Sequence, residues 1–270
     1  MHSSHFPRRF VVSLFFVAGS LGILIARFVA MNLSAVPVTI ISNAQNVVTI
    51  MLGLGIAVAL FMKGNRRVVW EGVFLAALFL GCWYLGLVLL PWKIALFLAS
   101  TLTLAHVLLR TVIIHNLFYL VGALGIALDF AGTFQSELLV VLLVAFTAYD
   151  ILAAHPDGPI VAVAGRLIRW GLVPGFIVPS SFSGQFQTVD TAIRSNGALL
   201  GAGDVILPMA MLMRAALIDL RLGLACLAGL LIGAVILGRG SMHPRAALPP
   251  LAVGVTVPFV VFLLIGYLSA

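Results

Sequence analysis

The chain has 270 residues, of which 63% are hydrophobic and only 9% charged, with a mean hydropathy of +1.22. A soluble domain carries about a quarter charged residues, so a water-facing globule is excluded and an integral membrane protein is expected. The excess of 15 Lys and Arg over 8 Asp and Glu (+7 at pH 7) belongs, on so apolar a chain, to basic loops near anionic lipid; it does not point to nucleic acid.

A membrane-crossing helix needs about 20 mostly apolar residues. Runs of that kind, cut at charges and turn formers, predict nine spans: Phe10–Met31, Val38–Met62, Val68–Leu90, Ile94–Arg110, Asn116–Phe130, Gln135–Ala154, Gly197–Leu217, Leu222–Leu237 and Ala246–Leu268. The fold class is therefore all-α, a polytopic helical bundle forming one membrane-embedded domain over 1–270. Within it, 1–154 hold six spans, 155–196 a loop, and 197–270 three more. The first span follows Pro7-Arg8-Arg9, and its apolar core is longer than a signal peptide's, so it reads as a retained anchor. Cys82 in the third span and Cys226 in the eighth lie far apart in apolar runs, which predicts two buried thiols and no disulfide or cysteine metal site. His106 and Arg110 share a face of the fourth span, as a packed histidine and a snorkelling arginine.

The loop between the sixth and seventh spans is the one long polar-tolerant connection. Its segment Ile160–Trp170 resembles a short interfacial helix. Phe176-Ile177-Val178, between Pro174 and Pro179, is extended-prone. Arg214, late in the seventh span, is expected to reach the outer interface or Asp219. With the N-terminus cytoplasmic, 11 of the 15 basic residues fall inside; Arg27, Lys93, Arg214 and Arg221 fall outside. That asymmetry obeys the positive-inside rule and places the C-terminus outside.

Ionisable groups within apolar spans cost several kcal/mol unless they are used or paired. Glu71, Asp129, Glu137 and Asp219 lie near span ends, and Asp157 and Asp190 in the loop. Asp150 and Asp204 alone sit inside apolar runs with no flanking charge. Asp150 precedes the inner end of the sixth span by about five residues, roughly 7 Å; Asp204 follows the inner end of the seventh by about seven, roughly 10 Å. Two carboxylates at similar depth on consecutive antiparallel helices can face each other. Two such acids cannot both ionise easily in a low-dielectric site, so one keeps its proton while the other is charged. This arrangement suits an aspartic protease, where one carboxylate activates water and the other polarises the scissile carbonyl. It suits equally a cation site in a channel or transporter.

The surroundings of the acids add detail. Gly201-Ala202-Gly203-Asp204 puts two small residues where another backbone must approach. Tyr149 precedes Asp150, and its phenol is a hydrogen-bonding group for a wet cavity. Ala246-Ala247-Leu248-Pro249-Pro250 brings two prolines to the inner start of the last span, where irregular backbone is tolerated only inside protein or beside water.

Taken together, these motifs resemble the presenilin and signal-peptide-peptidase group of intramembrane aspartyl proteases, and its microbial homologues most. Tyr149-Asp150 looks like that family's Tyr-Asp, Gly201–Asp204 like its Gly-x-Gly-Asp, and Leu248-Pro249 like the end of its Pro-Ala-Leu-Pro. Ala246 replaces the first proline of the last motif. The resemblance covers nearly the whole chain and implies a presenilin-like nine-helix fold in a microbial cell membrane. It implies catalysis by Asp150 and Asp204, with Tyr149, Gly201, Gly203, Ala246, Ala247, Leu248 and Pro249 supporting the site or the substrate. No metal or organic cofactor is implied. The implied partners are transmembrane-helix substrates, membrane lipid and, as one option, a second copy of the chain. A substrate helix must unwind to expose its scissile carbonyl, and pairing to an enzyme edge would hold it open; Val173–Val178 and the backbone around Leu248 are the expected edge. A prepilin peptidase also uses Gly-x-Gly-Asp, but typically continues with x-Lys where this chain has Val205-Ile206. A transporter of the broken-helix type would show an internal repeat, and none is evident.

Overall fold

The computed structural model describes residues 6–32, 67–153, 165–195, 198–239 and 248–268. The predicted second span, Val38–Met62, lies outside these residues, as do Asp157, Ala246 and Ala247. In chain order the elements are α1 (Phe6–Met31), α2 (Arg67–Leu89), α3 (Trp92–Leu109), α4 (Val112–Thr133), α5 (Ser136–Ala153), β1 (Gly175–Val178), α6 (Val189–Arg194), β2 (Ala198–Gly201), α7 (Ala202–Ile218), α8 (Leu220–Arg239) and α9 (Leu248–Leu268). Among the described residues α1, α2, α3, α4 and α8 are each long and apolar enough to cross a membrane.

Two predicted boundaries change. The fifth span was expected over Asn116–Phe130, and α4 instead runs from Val112 to Thr133. Arg110 takes a left-handed conformation (φ 44°) and ends α3, so the chain turns within Thr111 and a new helix begins at once. The seventh span was expected from Gly197, but Ala198–Gly201 is a strand, and α7 begins only at Ala202. A short apolar run does not by its periodicity distinguish strand from helix.

Helix α7 forms the centre. Val205, Leu207–Met213, Ala215 and Ala216 are buried by α1, α4, α5, α8 and α9, which all pack on it. Close helix approach is bought with glycine, as expected where lipid supplies no hydrophobic drive between helices. A side chain at Gly229 of α8 would strike the carbonyl oxygen of Gly254 in α9, and one at Gly254 would strike that of Gly229. Both cysteines are buried and free; Cys82 lies against the Phe118 carbonyl oxygen and Cys226 against that of Val255. Arg214 turns to the α4–α5 junction, an end that the span count places outside, and not to Asp219, donating to Ser136 Oγ at 3.3 Å and the Ala131 carbonyl at 3.4 Å. Asp219 instead caps α8, accepting from the backbone N–H of Arg221 and of Leu222.

Candidate active site

Each predicted acid sits in the end turn of a helix. Asp150 lies in the last turn of α5 and Asp204 in the first turn of α7. The two helices pack together, and the carboxylates are near enough for the charge of one to act on the other. Asp204 is not seven residues inside its helix as the sequence predicts, because β2 replaces the expected first turns.

Local chemistry explains how α7 begins here. Asp204 is the third helical residue, and its Oδ2 accepts the backbone N–H of Gly201 at 3.2 Å. That bond satisfies one of the donors a helix start leaves over. Pro208 lies inside α7 and has no N–H, so the Asp204 carbonyl four residues earlier loses its ordinary helical partner. A side chain at Gly201 would press on the Asp204 carboxylate, with Oδ2 at 3.1 Å, whereas Gly203 meets nothing within 4 Å. Asp150 Oδ2 is shut off from solvent. Tyr149 is 52% exposed on α5. Leu248 and Pro249 open α9, which packs on α8, α7 and α5; Ala246 and Ala247 precede the described part of that helix.

The extended segment of the loop is β1, paired antiparallel with β2 in the register Gly175 to Gly201, Phe176 to Leu200, Ile177 to Leu199 and Val178 to Ala198. The other edge of β1 is closed by α4, through residues the sequence reading did not single out. Asn116 donates from Nδ2 to the Ile177 carbonyl at 2.8 Å and accepts the Ile177 N–H on Oδ1 at 2.9 Å. His115 Nε2 lies 2.8 Å from the Gly175 carbonyl oxygen, and Tyr119 Oη donates to the Val173 carbonyl at 2.6 Å. The signal was present as an amide and an imidazole in an apolar helix, with Tyr119 one turn on along the same face. Placing the helix start at Asn116 hid it.

This register determines which backbone groups are left over. Gly175 and Ile177 turn their polar groups toward α4, so by antiparallel alternation their opposites, Gly201 and Leu199, turn theirs away from β1. The Gly201 N–H goes to Asp204. The N–H and C=O of Leu199 face outward on the other edge of β2, which no strand pairs among the described residues. The expected edge on β1 is therefore occupied, and the available one lies on β2, immediately before Asp204.

A separate cavity of about 180 Å³ lies between α2, α3, α4 and the loop, lined in part by Glu71, His106, Arg110, His115 and Tyr119. His106 packs its ring 4.7 Å from that of Phe118 and 5.1 Å from that of His115, the packed histidine expected.

Comparison with known proteins agrees with this architecture. One solved structure, of a presenilin family intramembrane aspartate protease in a C222 crystal form, is 19% identical and superposes with a TM-score of 0.59 over 91% of this chain and 94% of its own. A second, also of a presenilin family intramembrane aspartate protease, in a P2 form, is 17% identical with a TM-score of 0.58 over 93% and 95%. Among curated proteins none matches. The sequence profile described as signal-peptide peptidase, presenilin aspartyl protease matches residues 11–268, and the chain therefore belongs to that family.

Proposed function

We propose that this intramembrane aspartyl protease cleaves peptide bonds within substrate transmembrane helices, with Asp150 and Asp204 as its catalytic pair. The observation that carries the assignment is the delivery of one carboxylate by each of two packed helices, α5 and α7, within range of each other's charge. One aspartate, ionised, takes a proton from water as the water attacks the scissile carbonyl. The other, protonated, donates to the carbonyl oxygen and receives its proton back when the tetrahedral intermediate collapses, while the first passes the proton it took from water to the leaving amine. Gly201 leaves room for the Asp204 carboxylate and Gly203 leaves room for a substrate backbone. Tyr149, Ala246, Ala247, Leu248 and Pro249 are proposed as supporting residues at the same end.

The unwound substrate pairs with the outer edge of β2 through the N–H and C=O of Leu199, as strand addition requires. This relocates the edge from Val173–Val178, whose polar groups α4 already holds. The whole chain acts as one membrane domain of nine crossings, with its N-terminus in the cytoplasm of a microbial cell and its C-terminus outside. Two contacts support nine: Arg27, near the end of α1, donates to the Ala216 carbonyl at the end of α7, whereas Glu71, near the start of α2, lines a cavity with Gly171 of the loop. The chain thus leaves α1 at one end of the bundle and starts α2 at the other, which fits a crossing by Val38–Met62. Substrates are single-span proteins or peptides embedded in lipid, and a second copy of the chain is a further partner to test.

The test is purified protein in detergent with a single-span substrate. Wild type gives two fragments, blocked by a transition-state-analogue inhibitor. Asp150→Ala and Asp204→Ala give none while keeping the thermal stability of wild type. Fragments from either variant would overturn the pair.

A further inference from the structure

We infer that Asn116 is a positioning residue that selects which substrate bond is cut, by holding the β1–β2 sheet in register against α4. The inference rests on the strand addition at β2 proposed above. Asn116 is 8% exposed and spends both ends of its amide on the two backbone groups of one residue, Ile177, at 2.8 and 2.9 Å. A neighbouring antiparallel strand would give Ile177 that same pair of bonds. A helix side chain therefore stands in for a third strand. His115 and Tyr119 take the carbonyls of Gly175 and Val173, so one face of α4 grips every second residue of the segment.

A grip is needed because this sheet is small. Two four-residue strands specify their own register weakly, and a slip of two residues keeps every side chain on its original face. The remaining contacts pass the alignment on to the acid. Gly175 lies so close to the Leu200 carbonyl oxygen that no side chain fits, Ala202 N–H donates to the Pro174 carbonyl at 3.1 Å, and Gly201 N–H meets Asp204. A substrate strand docked on Leu199 is thereby placed along its own length relative to Asp204. If the grip loosens, the distance from Leu199 to the acid varies and several substrate bonds take turns in the site.

The experiment compares wild type, Asn116→Leu and Tyr119→Phe on one single-span substrate, reading product termini by mass spectrometry, kcat and KM, and thermal stability in detergent. Asn116→Leu has nearly the volume of the amide and removes both bonds; Tyr119→Phe removes only the bond to Val173. The expected result is a rise of about tenfold in the ratio of neighbouring products to the main product for Asn116→Leu, the discrimination of one or two buried hydrogen bonds. Tyr119→Phe shifts the same ratio less. An unchanged ratio in Asn116→Leu, at whatever rate, overturns the inference and leaves Asn116 as a fold-stabilising group. Where Asn116→Leu does not fold, Tyr119→Phe decides by the same ratio. Leu199→Pro separates this inference from its parent. If Leu199→Pro cleaves normally, strand addition fails; if it is impaired while both α4 variants keep the wild-type product ratio, only the role of Asn116 fails.

Discussion

Gly201 and Gly203 flank one residue and meet different surroundings. Gly201 has φ −59° and ψ 146°, a conformation open to any L-residue, so its requirement is spatial: a Cβ there sits 3.1 Å from Asp204 Oδ2. Gly201→Ala is expected to displace the carboxylate by a few tenths of an ångström and cut kcat by about 10- to 100-fold, the scale on which small misplacements act. Gly203→Ala meets no atom of the chain within 4 Å, so it is expected to leave the Asp204 carboxylate in place and hold kcat within about threefold, with its cost in KM, where the methyl takes space proposed for the substrate backbone. Steady-state kinetics of the two variants checks the contrast, and equal losses would reject it. The sequence makes the two glycines look alike, because spacing records that both are small and not which neighbour each must spare. The two acids themselves were legible, since a carboxylate in an apolar run demands a use. The roles of His115, Asn116 and Tyr119 were not, because their partners are backbone groups some 54 to 61 residues away.

At the scale of elements, the eight predicted spans that fall on described residues all appear as helices, and the extended-prone Phe176–Val178 appears in β1. The difference lies in Ala198–Gly201, a strand whose Leu199 and Leu200 continue the apolar run of α7 in the sequence. Pairing made the difference: Phe176 and Ile177 are fully buried and Leu200 is 4% exposed, so the two-stranded sheet seals the core while Leu199, 39% exposed, faces out. A proline at Ile177 would not test strand addition, since the Ile177 N–H is already given to Asn116. Leu199→Pro is the informative change. It deletes an outward N–H, and the residues that bond to β1, Ala198 and Leu200, are untouched; Ala198 is already in the extended conformation a following proline favours. The expected outcome is a KM raised or a kcat lowered by about tenfold or more, the worth of one buried backbone bond in the substrate complex, with thermal stability close to wild type. Unimpaired cleavage would show that the substrate docks elsewhere.

For the molecule as a whole, the charge rule and the packing make the same division by independent routes. Arg8 packs beside Gly238 at the end of α8, while Arg27 donates to the Ala216 carbonyl at the end of α7. Arg110 donates to the Gly171 carbonyl at the loop end, while Arg214 holds the α4–α5 junction. Two basic residues assigned to the inside by counting, Arg8 and Arg110, thus meet elements that the same count places inside, and two of the four assigned to the outside, Arg27 and Arg214, meet elements it places outside. Counting gives only a difference between loops, whereas these contacts give which loops share an end; that the end is cytoplasmic is the proposal drawn from the positive-inside rule. Labelling tests it. Cys82 and Cys226 are buried, so changing both to Ala gives a background free of thiols. Into that background go Gln135→Cys, at the α4–α5 junction, and Gln187→Cys, in the loop; both sites are exposed. A membrane-impermeant maleimide on intact cells is expected to label the first at once and the second only after lysis. The reverse pattern would invert the orientation while leaving the bundle intact. Labelling of both sites from one side would break the division itself, because the loop beside β2 and Asp204 would then share a compartment with the opposite end of α4.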